Sequence, residues 1–385
     1  MPQAVITRVV IIGGGPVGLL LGSLLRDQNV DVTILEKRSD ITRTRCVKLL
    51  GRILLSNAIT DEIFLFSEEQ IEERQQAIES MKLELFAMVT GWLELFTPIQ
   101  TIQEALKNYC ISSGAQLLTG DEYDISKNLT LLQRYPNTVV IDCTGYHSVL
   151  REHIQPNNRI SRLIEHVIVC TFILDDRYEC NELCKYYKNI NTKRFQCIPS
   201  IDDTYRTRDR ETHVTCLITI DEPMFQEVSK IRPITYDYLR EQQHEIYNDL
   251  NIFLNNLSSG IMDHIHFDTM EFVALPLQVY RARKLTHTVT SDNLNQHWIL
   301  MGDAAMGGPY FQSISMGYEA AIYFAYLFRR MKQNIPEMMT KYEAYMDKLW
   351  LAMQIRSKEI QRNKQILQAM CLNNRDDILT KIKIY

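Results

Sequence analysis

The chain has 385 residues, which is long enough for two interlocked domains with buried cores. Its apolar fraction of 45% and charged fraction of 23% are those of a soluble globular protein. With 42 basic and 47 acidic residues, the net charge of -5 offers no large positive field to a nucleic-acid backbone. We therefore expect no nucleic-acid partner.

The nine cysteines are scattered, odd in number and mostly set among apolar neighbours, unlike a disulfide framework or a paired metal site. This usage predicts a reducing, cytoplasmic compartment. The apolar run from Val9 to Leu25 is shorter than a usual membrane span and contains five glycines and a proline, so no membrane attachment is expected. His264 and His266 have no clear third ligand nearby in sequence, and no metal is expected.

The predicted elements begin with a βαβ unit. Val9 to Ile12 is a short apolar run, a glycine-rich turn follows, Leu19 to Leu25 has the composition of an apolar helix, and Asp31 to Glu36 is a second apolar run. Apolar runs of this kind are typical of a parallel sheet that is buried on both faces.

Later segments extend this sheet and begin a second one. Met88 to Leu95 is interpreted as a strand that crosses into another sheet. The first sheet is expected to continue with a helix over Ile102 to Ser112 and strands over Ala115 to Leu118, Val139 to Asp142 and Trp298 to Met301. β-branched and aromatic residues recur in His166 to Leu174, His213 to Ile220 and Glu271 to Val279. They predict a mostly antiparallel second sheet.

A helix is predicted from about Ser315 to Arg330, and the tail from Pro336 to about Met370 has apolar residues at helical spacing, as one helix or a pair. The predicted fold class is therefore α/β, with a Rossmann-like domain, an interleaved antiparallel domain and C-terminal helices. We assign residues 1–75, 97–160 and 290–330 to the first domain, 76–96 and 161–289 to the substrate domain, and 331–385 to the C-terminal helices.

The strongest functional motif is the turn Gly13-Gly14-Gly15-Pro16-Val17-Gly18. Gly13, Gly15 and Gly18 supply a tight turn, a backbone that a pyrophosphate can approach, and close packing of helix on strand. Glu36 ends the second strand, where a carboxylate can accept hydrogen bonds from ribose hydroxyls. This arrangement predicts dinucleotide binding.

Three separated segments resemble the FAD-dependent aromatic hydroxylases, the class A flavoprotein monooxygenases with a p-hydroxybenzoate hydroxylase-like fold. The first is Gly13 to Gly18 with Glu36-Lys37-Arg38. The second is Asp142 to Arg151, which is similar to the family's Asp-Gly-x-x-Ser-x-x-Arg motif near FAD and NAD(P)H. The third is Gly302-Asp303-Ala304-Ala305 with Pro309, similar to the motif whose aspartate contacts the ribityl chain of FAD.

The resemblance implies further cofactor-binding residues. Within the family, the chain is most similar to the kynurenine hydroxylase and MICAL branches, in which an arginine after the second strand approaches the cofactor. Arg45 is the better candidate here and Arg43 the next, with a solvated basic loop as the alternative. Gln103 and Gln100 open the helix that runs beside the flavin in these enzymes, although this face could equally be solvent-exposed. The cofactor contacts implied in this way are Pro16, Val17, Lys37, Arg38, Arg45, Gln103, Gly145, Gly302, Asp303 and Pro309.

The chain also departs from the family pattern. Thr144-Gly145 stands where relatives have Asp-Gly, which removes a carboxylate that helps to organise the pyridine-nucleotide site. Ser313-Ile314-Ser315 lies near the place where relatives have Gly-x-Gly at a helix start. These differences weaken the expectation of NAD(P)H dependence more than that of FAD binding.

The function that the resemblance implies is hydroxylation of a small organic, aromatic substrate. The reduced flavin takes up dioxygen to form a C4a-hydroperoxide, and NADPH or NADH is the transient reductant. Two alternatives stay open: an FAD-dependent oxidase, dehydrogenase or reductase, and an FAD-binding effector module without turnover. No catalytic side chain is identified, and neither the substrate nor the oligomeric state can be read from the sequence.

Overall fold

A computed structural model describes residues 8–41, 46–51, 65–174, 195–197, 212–257, 265–291, 294–309 and 312–373. The described strands are β1 (Arg8–Ile12), β2 (Asp31–Glu36), β3 (Cys46–Lys48), β4 (Phe96–Pro98), β5 (Gln116–Thr119), β6 (Thr138–Asp142), β7 (Ile160–Leu174), β8 (Phe195–Cys197), β9 (Thr212–Ile220), β10 (Ile265–Arg281), β11 (Thr286–Ser291), β12 (Leu294–Leu300) and β13 (Met306–Gly307).

The described helices are α1 (Pro16–Asp27), α2 (Glu68–Glu79), α3 (Leu83–Gly91), α4 (Ile99–Ser112), α5 (Val149–Ile154), α6 (Glu222–Val228), α7 (Tyr236–Gln242), α8 (His244–Leu257), α9 (Gln312–Met331) and α10 (Ile335–Asn373). Short 3₁₀ turns lie at Asp121–Tyr123, Leu129–Arg134 and Gly302–Ala304.

The first sheet has the strand order β11-β12-β6-β1-β2-β5. All its neighbouring strands are parallel except the β11–β12 pair at one edge. Val9, Val10 and Ile11 on β1 are fully buried, as a strand covered by helices on both faces requires. The sheet aligns the carboxyl ends of β1, β2 and β6 along one edge, where ligands bind in folds of this type.

The second sheet has the order β13-β10-β7-β9-β8, and all its pairs are antiparallel. One face of this sheet, including Ile168, Phe172 and Ile218, forms a separate core with apolar residues of α7 and α8 such as Leu239 and Leu250. The parallel sheet, the antiparallel sheet and the C-terminal helix together confirm the predicted fold class.

One predicted strand is wrong. Met88 lies in helix α3, and only the short strand β4 follows, at Phe96–Pro98. Leu85 and Val89 are four residues apart and fully buried in the core around the first sheet, so the apolar residues of this segment follow the helical period. The apolar composition between Met88 and Leu95 is compatible with a strand or a helix, and burial of one helical face against the core favours the helix.

The tail forms the single helix α10, which at 1.5 Å per residue is roughly 60 Å long. Its Tyr342 hydroxyl donates to the carbonyl oxygen of Leu300 at 2.9 Å, at the end of β12. Farther along, Gln361 donates its side-chain amide to the carbonyl oxygen of Ile164 on β7. The helix therefore joins the two sheets, and no helix among the described residues has both the length and the apolar stretch that crossing a membrane would need.

Candidate functional site

The glycine turn after β1 is tightly packed at two of its positions. Gly13 has φ of +101°, and a Cβ atom placed on it would lie 2.7 Å from the carbonyl oxygen of Cys143. A Cβ atom on Gly18 would lie 2.1 Å from the carbonyl oxygen of Gly13. Any side chain at either position would therefore separate α1 from β1 and β6, so these glycines serve the fold.

Gly15 has a different environment. It is the N-cap residue of α1, Pro16 follows it in the first helical turn, and a Cβ atom on Gly15 would have no atom within 4 Å. The space beside Gly15 is thus open at the end of a helix whose first backbone N–H groups lack intrahelical acceptors. This combination fits a pyrophosphate, which needs close backbone approach and the positive end of a helix dipole.

Glu36 and Gln103 hold the peptide groups of the turn. The Glu36 carboxylate accepts hydrogen bonds from the backbone N–H of Gly14 at 2.7 Å and of Arg38 at 3.0 Å. Gln103, on α4, donates its side-chain amide to the carbonyl oxygen of Gly14 at 2.7 Å. The turn is therefore fixed from β2 on one side and from α4 on the other.

An open cleft lies between the glycine turn, the end of β2 and helix α4, with an empty volume of about 400 Å³ that includes open solvent. Its lining consists of Gly14, Leu19, Glu36, Arg38, Ser39, Asp40, Ile41, Gln103, Lys107, Leu117 and Thr119. Arg38 lies in this lining, whereas Lys37 is not part of it, and the ammonium group of Lys37 lies 3.9 Å from the carboxylate of Asp124. Arg43 and Arg45 lie outside the described residues.

Lys107 is a lining residue that the sequence reasoning missed. It follows Gln103 by four positions on α4, so the two side chains share one face of the helix. The helical spacing would have predicted Lys107 once Gln103 was placed at the turn.

The second of the three motifs, Asp142 to Arg151, is called the middle motif here. It is organised around the buried carboxylate of Asp142. One oxygen accepts hydrogen bonds from the backbone N–H and the hydroxyl of Thr144, at 2.8 and 2.6 Å, and the other accepts from the Ser148 hydroxyl at 2.6 Å. Burial raises the pKa of Asp142, while these donors and the charge of Arg151 oppose the rise. Thr144 is thus bound within its own turn, and Gly145 follows with φ of +93° and no atom within 4 Å of a Cβ position.

Arg151 connects the middle motif to the third motif, Gly302 to Ala305, which is called the Gly-Asp segment. Its buried guanidinium donates to the carbonyl oxygen of Ala304 at 3.1 Å and to the carbonyl oxygen of Tyr146. Its backbone N–H donates to the Ser148 hydroxyl at 2.9 Å, which caps α5. The second and third motifs are therefore in direct contact.

The Gly-Asp segment also lies against the glycine turn. Gly302 has φ of +59°, and a Cβ atom placed on it would lie 3.3 Å from the side chain of Val17. A Cβ atom on Gly317 of α9 would lie 2.7 Å from Val17. Val17 therefore lies beside both glycines, and Asp303 follows immediately after Gly302 in the 3₁₀ turn.

Side-chain hydrogen bonds hold Pro309 and the start of α9. The carbonyl oxygen of Pro309 accepts from the side-chain amide of Gln312 at 3.2 Å. Ser313 accepts from the Gly308 N–H at 2.8 Å, and Ser315 accepts from the Leu50 N–H at 3.0 Å. Near the position where the family has Gly-x-Gly, the hydroxyls of Ser313 and Ser315 therefore each accept a hydrogen bond from a backbone N–H group.

The structure brings most of the predicted site residues to the carboxyl edge of the first sheet: Gly13, Gly15, Pro16, Val17, Gly18, Glu36, Arg38, Gln103, Gly302 and Asp303. Lys37 lies outside the cleft lining. In the second sheet, the imidazole of His266 lies 3.9 Å from the carboxylate of Asp268, and His264 is outside the described residues. Within the part of the chain that the structure describes, no group of three or more His, Cys, Asp or Glu residues is placed to hold a metal ion.

One protein-family model matches the segment that contains the glycine turn. Residues 6–50 match the family model described as FAD binding domain. This span contains β1, the glycine turn, α1 and β2 and supplies one side of the cleft described above, whose other side is formed by α4 and β5. The match supports the resemblance to the FAD-dependent aromatic hydroxylases that the sequence motifs predict.

Several solved structures are similar to the chain over most of its length. OxyS anhydrotetracycline hydroxylase from Streptomyces rimosus is 14% identical, with a TM-score of 0.49 over 95% of this chain and 73% of that chain. The Diels-Alderase PyrE3 of pyrroindomycin biosynthesis is 13% identical, with a TM-score of 0.49 over 94% of this chain and 77% of that chain. The flavin-dependent halogenase CmlS is 16% identical, with a TM-score of 0.47 over 91% of this chain and 63% of that chain.

Proposed function

We propose that the chain is an FAD-dependent monooxygenase that uses NADPH or NADH as reductant and hydroxylates a small aromatic substrate. The observation that carries the proposal is the close approach of Val17 to Gly302 and Gly317, which leaves no room for a Cβ atom on Gly317, because it places the phosphate-binding turn beside the Gly-Asp motif. A dinucleotide site for NAD alone would require only the first of these motifs.

The described residues fit the phosphate end of FAD. The open space beside Gly15 can receive the pyrophosphate at the start of α1. Each Glu36 oxygen accepts one backbone N–H, and since a carboxylate oxygen has two lone pairs, each can accept a further bond from a ribose hydroxyl. Gln103 keeps the Gly14 peptide in place and so preserves the shape of the phosphate turn.

The second half of the proposed site is assigned to the Gly-Asp segment. Asp303 would bind the ribityl chain, and the isoalloxazine would then lie toward the second sheet, at the interface where ligand pockets tend to occur. Bound FAD supplies the redox chemistry and the activation of dioxygen. The protein's part is to bind and orient the cofactor and the substrate and to keep water away from the reacting atoms.

One observation favours a second candidate, an FAD-dependent oxidase, dehydrogenase or reductase that does not use NAD(P)H. Thr144 stands where relatives have a carboxylate, and its hydroxyl is bonded to Asp142 in its own turn. The middle motif thus has no second carboxylate at this position to organise a pyridine nucleotide.

Purified protein reconstituted with FAD tests both candidates. The proposal predicts a yellow protein whose NADPH consumption rises when an aromatic compound is added, with a hydroxylated product detected by mass spectrometry. Bound FAD that is not reduced by NADPH or NADH would contradict the monooxygenase proposal and favour the second candidate or a binding protein without turnover. Protein that cannot be reconstituted with FAD would contradict both.

A further inference from the structure

Three consecutive carbonyl groups of the Gly-Asp segment are held from outside that segment. The carbonyl oxygen of Asp303 accepts from the Tyr280 hydroxyl at 3.0 Å, and that of Ala304 accepts from Arg151 at 3.1 Å. The carbonyl oxygen of Ala305 accepts from the backbone N–H of Ala282 at 2.7 Å. Two of the three donors come from the second sheet or directly after it: Tyr280 lies near the end of β10, and Ala282 is the first residue after that strand. The position of the turn therefore depends on that sheet.

The space around the Tyr280 hydroxyl is closely fitted. A Cβ atom placed on Gly307, which pairs with Tyr280 between β13 and β10, would lie 2.5 Å from that hydroxyl. On another side the ring of Tyr280 meets the ring of Tyr146 edge to face, with centroids 4.9 Å apart. Tyr280 itself is buried. The hydroxyl is thus confined to one position, in contact with the Asp303 carbonyl.

Tyr280 is also a permanent donor. Burial raises the pKa of its phenol, and the nearby charge of Asp303 raises it further. The hydroxyl therefore keeps its proton over the whole range in which a protein works, and the bond to the Asp303 carbonyl does not titrate.

We propose that Tyr280 is a positioning residue for Asp303: through its hydroxyl, the second sheet sets the place of the Asp303 carboxylate against the bound cofactor. The inference rests on the proposed function, because it takes Asp303 as a ligand of FAD. It goes beyond that function because it gives the second sheet a part in positioning a residue that binds the cofactor. A movement of β10 would therefore reach the cofactor through the hydrogen bonds that Tyr280 and Ala282 make to the turn.

The test compares Tyr280→Phe, Asp303→Asn and the double variant. Loss of the hydroxyl leaves a buried carbonyl without this donor, so the Kd for FAD should rise about five- to tenfold in Tyr280→Phe, with a shifted flavin absorbance spectrum. If Tyr280 acts through Asp303, the two changes should not multiply, and the double variant should bind FAD about as Asp303→Asn does. Affinity is measured by quenching of flavin fluorescence on binding.

Two further variants separate positioning from general loosening. Tyr236→Phe removes a hydroxyl that bonds Asn251 elsewhere in the second domain, and it should leave the Kd and the flavin spectrum unchanged. Gly307→Ala places a methyl group 2.5 Å from the Tyr280 hydroxyl, which must then move, and should reproduce the spectral shift with the hydroxyl still present. It provides a second test if Tyr280→Phe does not fold.

Each outcome has a clear meaning. Wild-type affinity and spectrum in Tyr280→Phe would overturn the inference and leave the FAD site intact, and so would multiplying effects in the double variant. Wild-type protein that fails to bind FAD would instead refute the proposed function and this inference together.

Discussion

The side-chain amide of Gln103 donates to the carbonyl oxygen of Gly14 at 2.7 Å, across 89 residues of sequence. The backbone N–H of Gly14 donates to the carboxylate of Glu36. A helix and a strand therefore hold one residue of the phosphate turn from two directions. The relationship gives Gln103 a role that needs no direct contact with the cofactor.

Gln103→Ala should weaken FAD binding without unfolding the protein. A hydrogen bond of this kind contributes about 1 kcal/mol, which corresponds to roughly a fivefold rise in the Kd for FAD. Gln100→Ala is the matched control, because Gln100 lies on the same helix and its amide bonds Glu104 instead. Equal Kd values for the two variants would show that the Gln103 contact does not support the site.

The sequence predicts the phosphate turn well because its restraints are local. Gly18 leaves room for the backbone of Gly13 within one βαβ unit, and that unit is recognised from apolar runs of the correct length. Five of the six strands of the first sheet and the helix α4 are predicted from the same kind of local pattern, whereas the edge strand β11 is not. The helix α3 is missed because the apolar composition of Met88 to Leu95 also suited a strand, and burial of one helical face decides the structure.

The contacts between distant segments are not predictable in this way. Nothing near Tyr280 in sequence points to Asp303, and the bond between them exists because β10 and the Gly-Asp turn meet in space. The link between Arg151 and Ala304 is of the same kind, although each residue lies in a motif that the sequence reasoning identified. Because the two residues are 153 positions apart in sequence, their pairing is not predicted.

A buried ion pair joins α2 to α9 behind the site. The guanidinium of Arg74 makes two hydrogen bonds to the carboxylate of Glu319, at 2.5 and 3.1 Å, and both residues are buried. Arg74→Met would leave the buried carboxylate of Glu319 without this partner, at a cost of about 3 to 5 kcal/mol in the free energy of unfolding. Urea denaturation measures this loss.

The double variant Arg74→Met/Glu319→Leu is the control for that measurement. It removes both charges, so it should recover a large part of the lost stability. A single variant as stable as the wild type would show that the pair contributes nothing to the packing of α2 on α9.

His297 should make stability depend on pH. It is buried on β12, its ring contacts the Thr288 hydroxyl at 3.0 Å, and burial lowers its pKa below the ordinary value of 6.5. Below pH 6.5 the unfolded chain then binds more protons than the folded protein, so stability is lost as the pH falls from 6.5 toward the lowered pKa. Burial and Lys284 lower the pKa of His287 too, which adds to this loss.

The dependence of the free energy of unfolding on pH is measured by urea unfolding at pH values between about 5 and 8. His297→Gln cannot titrate, so it should lose less stability than the wild type over the acid half of that range. Parallel curves for the two proteins would contradict the lowered pKa of His297.

Gly15→Val is the most direct test of the phosphate turn. The backbone of Gly15 has φ of -74° and ψ of 176°, which a valine adopts readily, and a Cβ atom there would meet no protein atom within 4 Å. The variant should therefore fold normally. The added side chain would fill the space through which a pyrophosphate approaches the first turn of α1, so FAD should be lost during purification.

Two other glycines make this result specific. Gly91→Val, at the end of α3, also enters open space and should keep both the fold and the flavin. Gly18→Ala puts a Cβ atom 2.1 Å from the carbonyl oxygen of Gly13, so it should lower the unfolding temperature with or without FAD. The ratio of flavin absorbance to protein, read beside the unfolding temperature, distinguishes the three variants. A Gly15→Val protein that retains a full complement of FAD would show that the pyrophosphate does not bind at this turn.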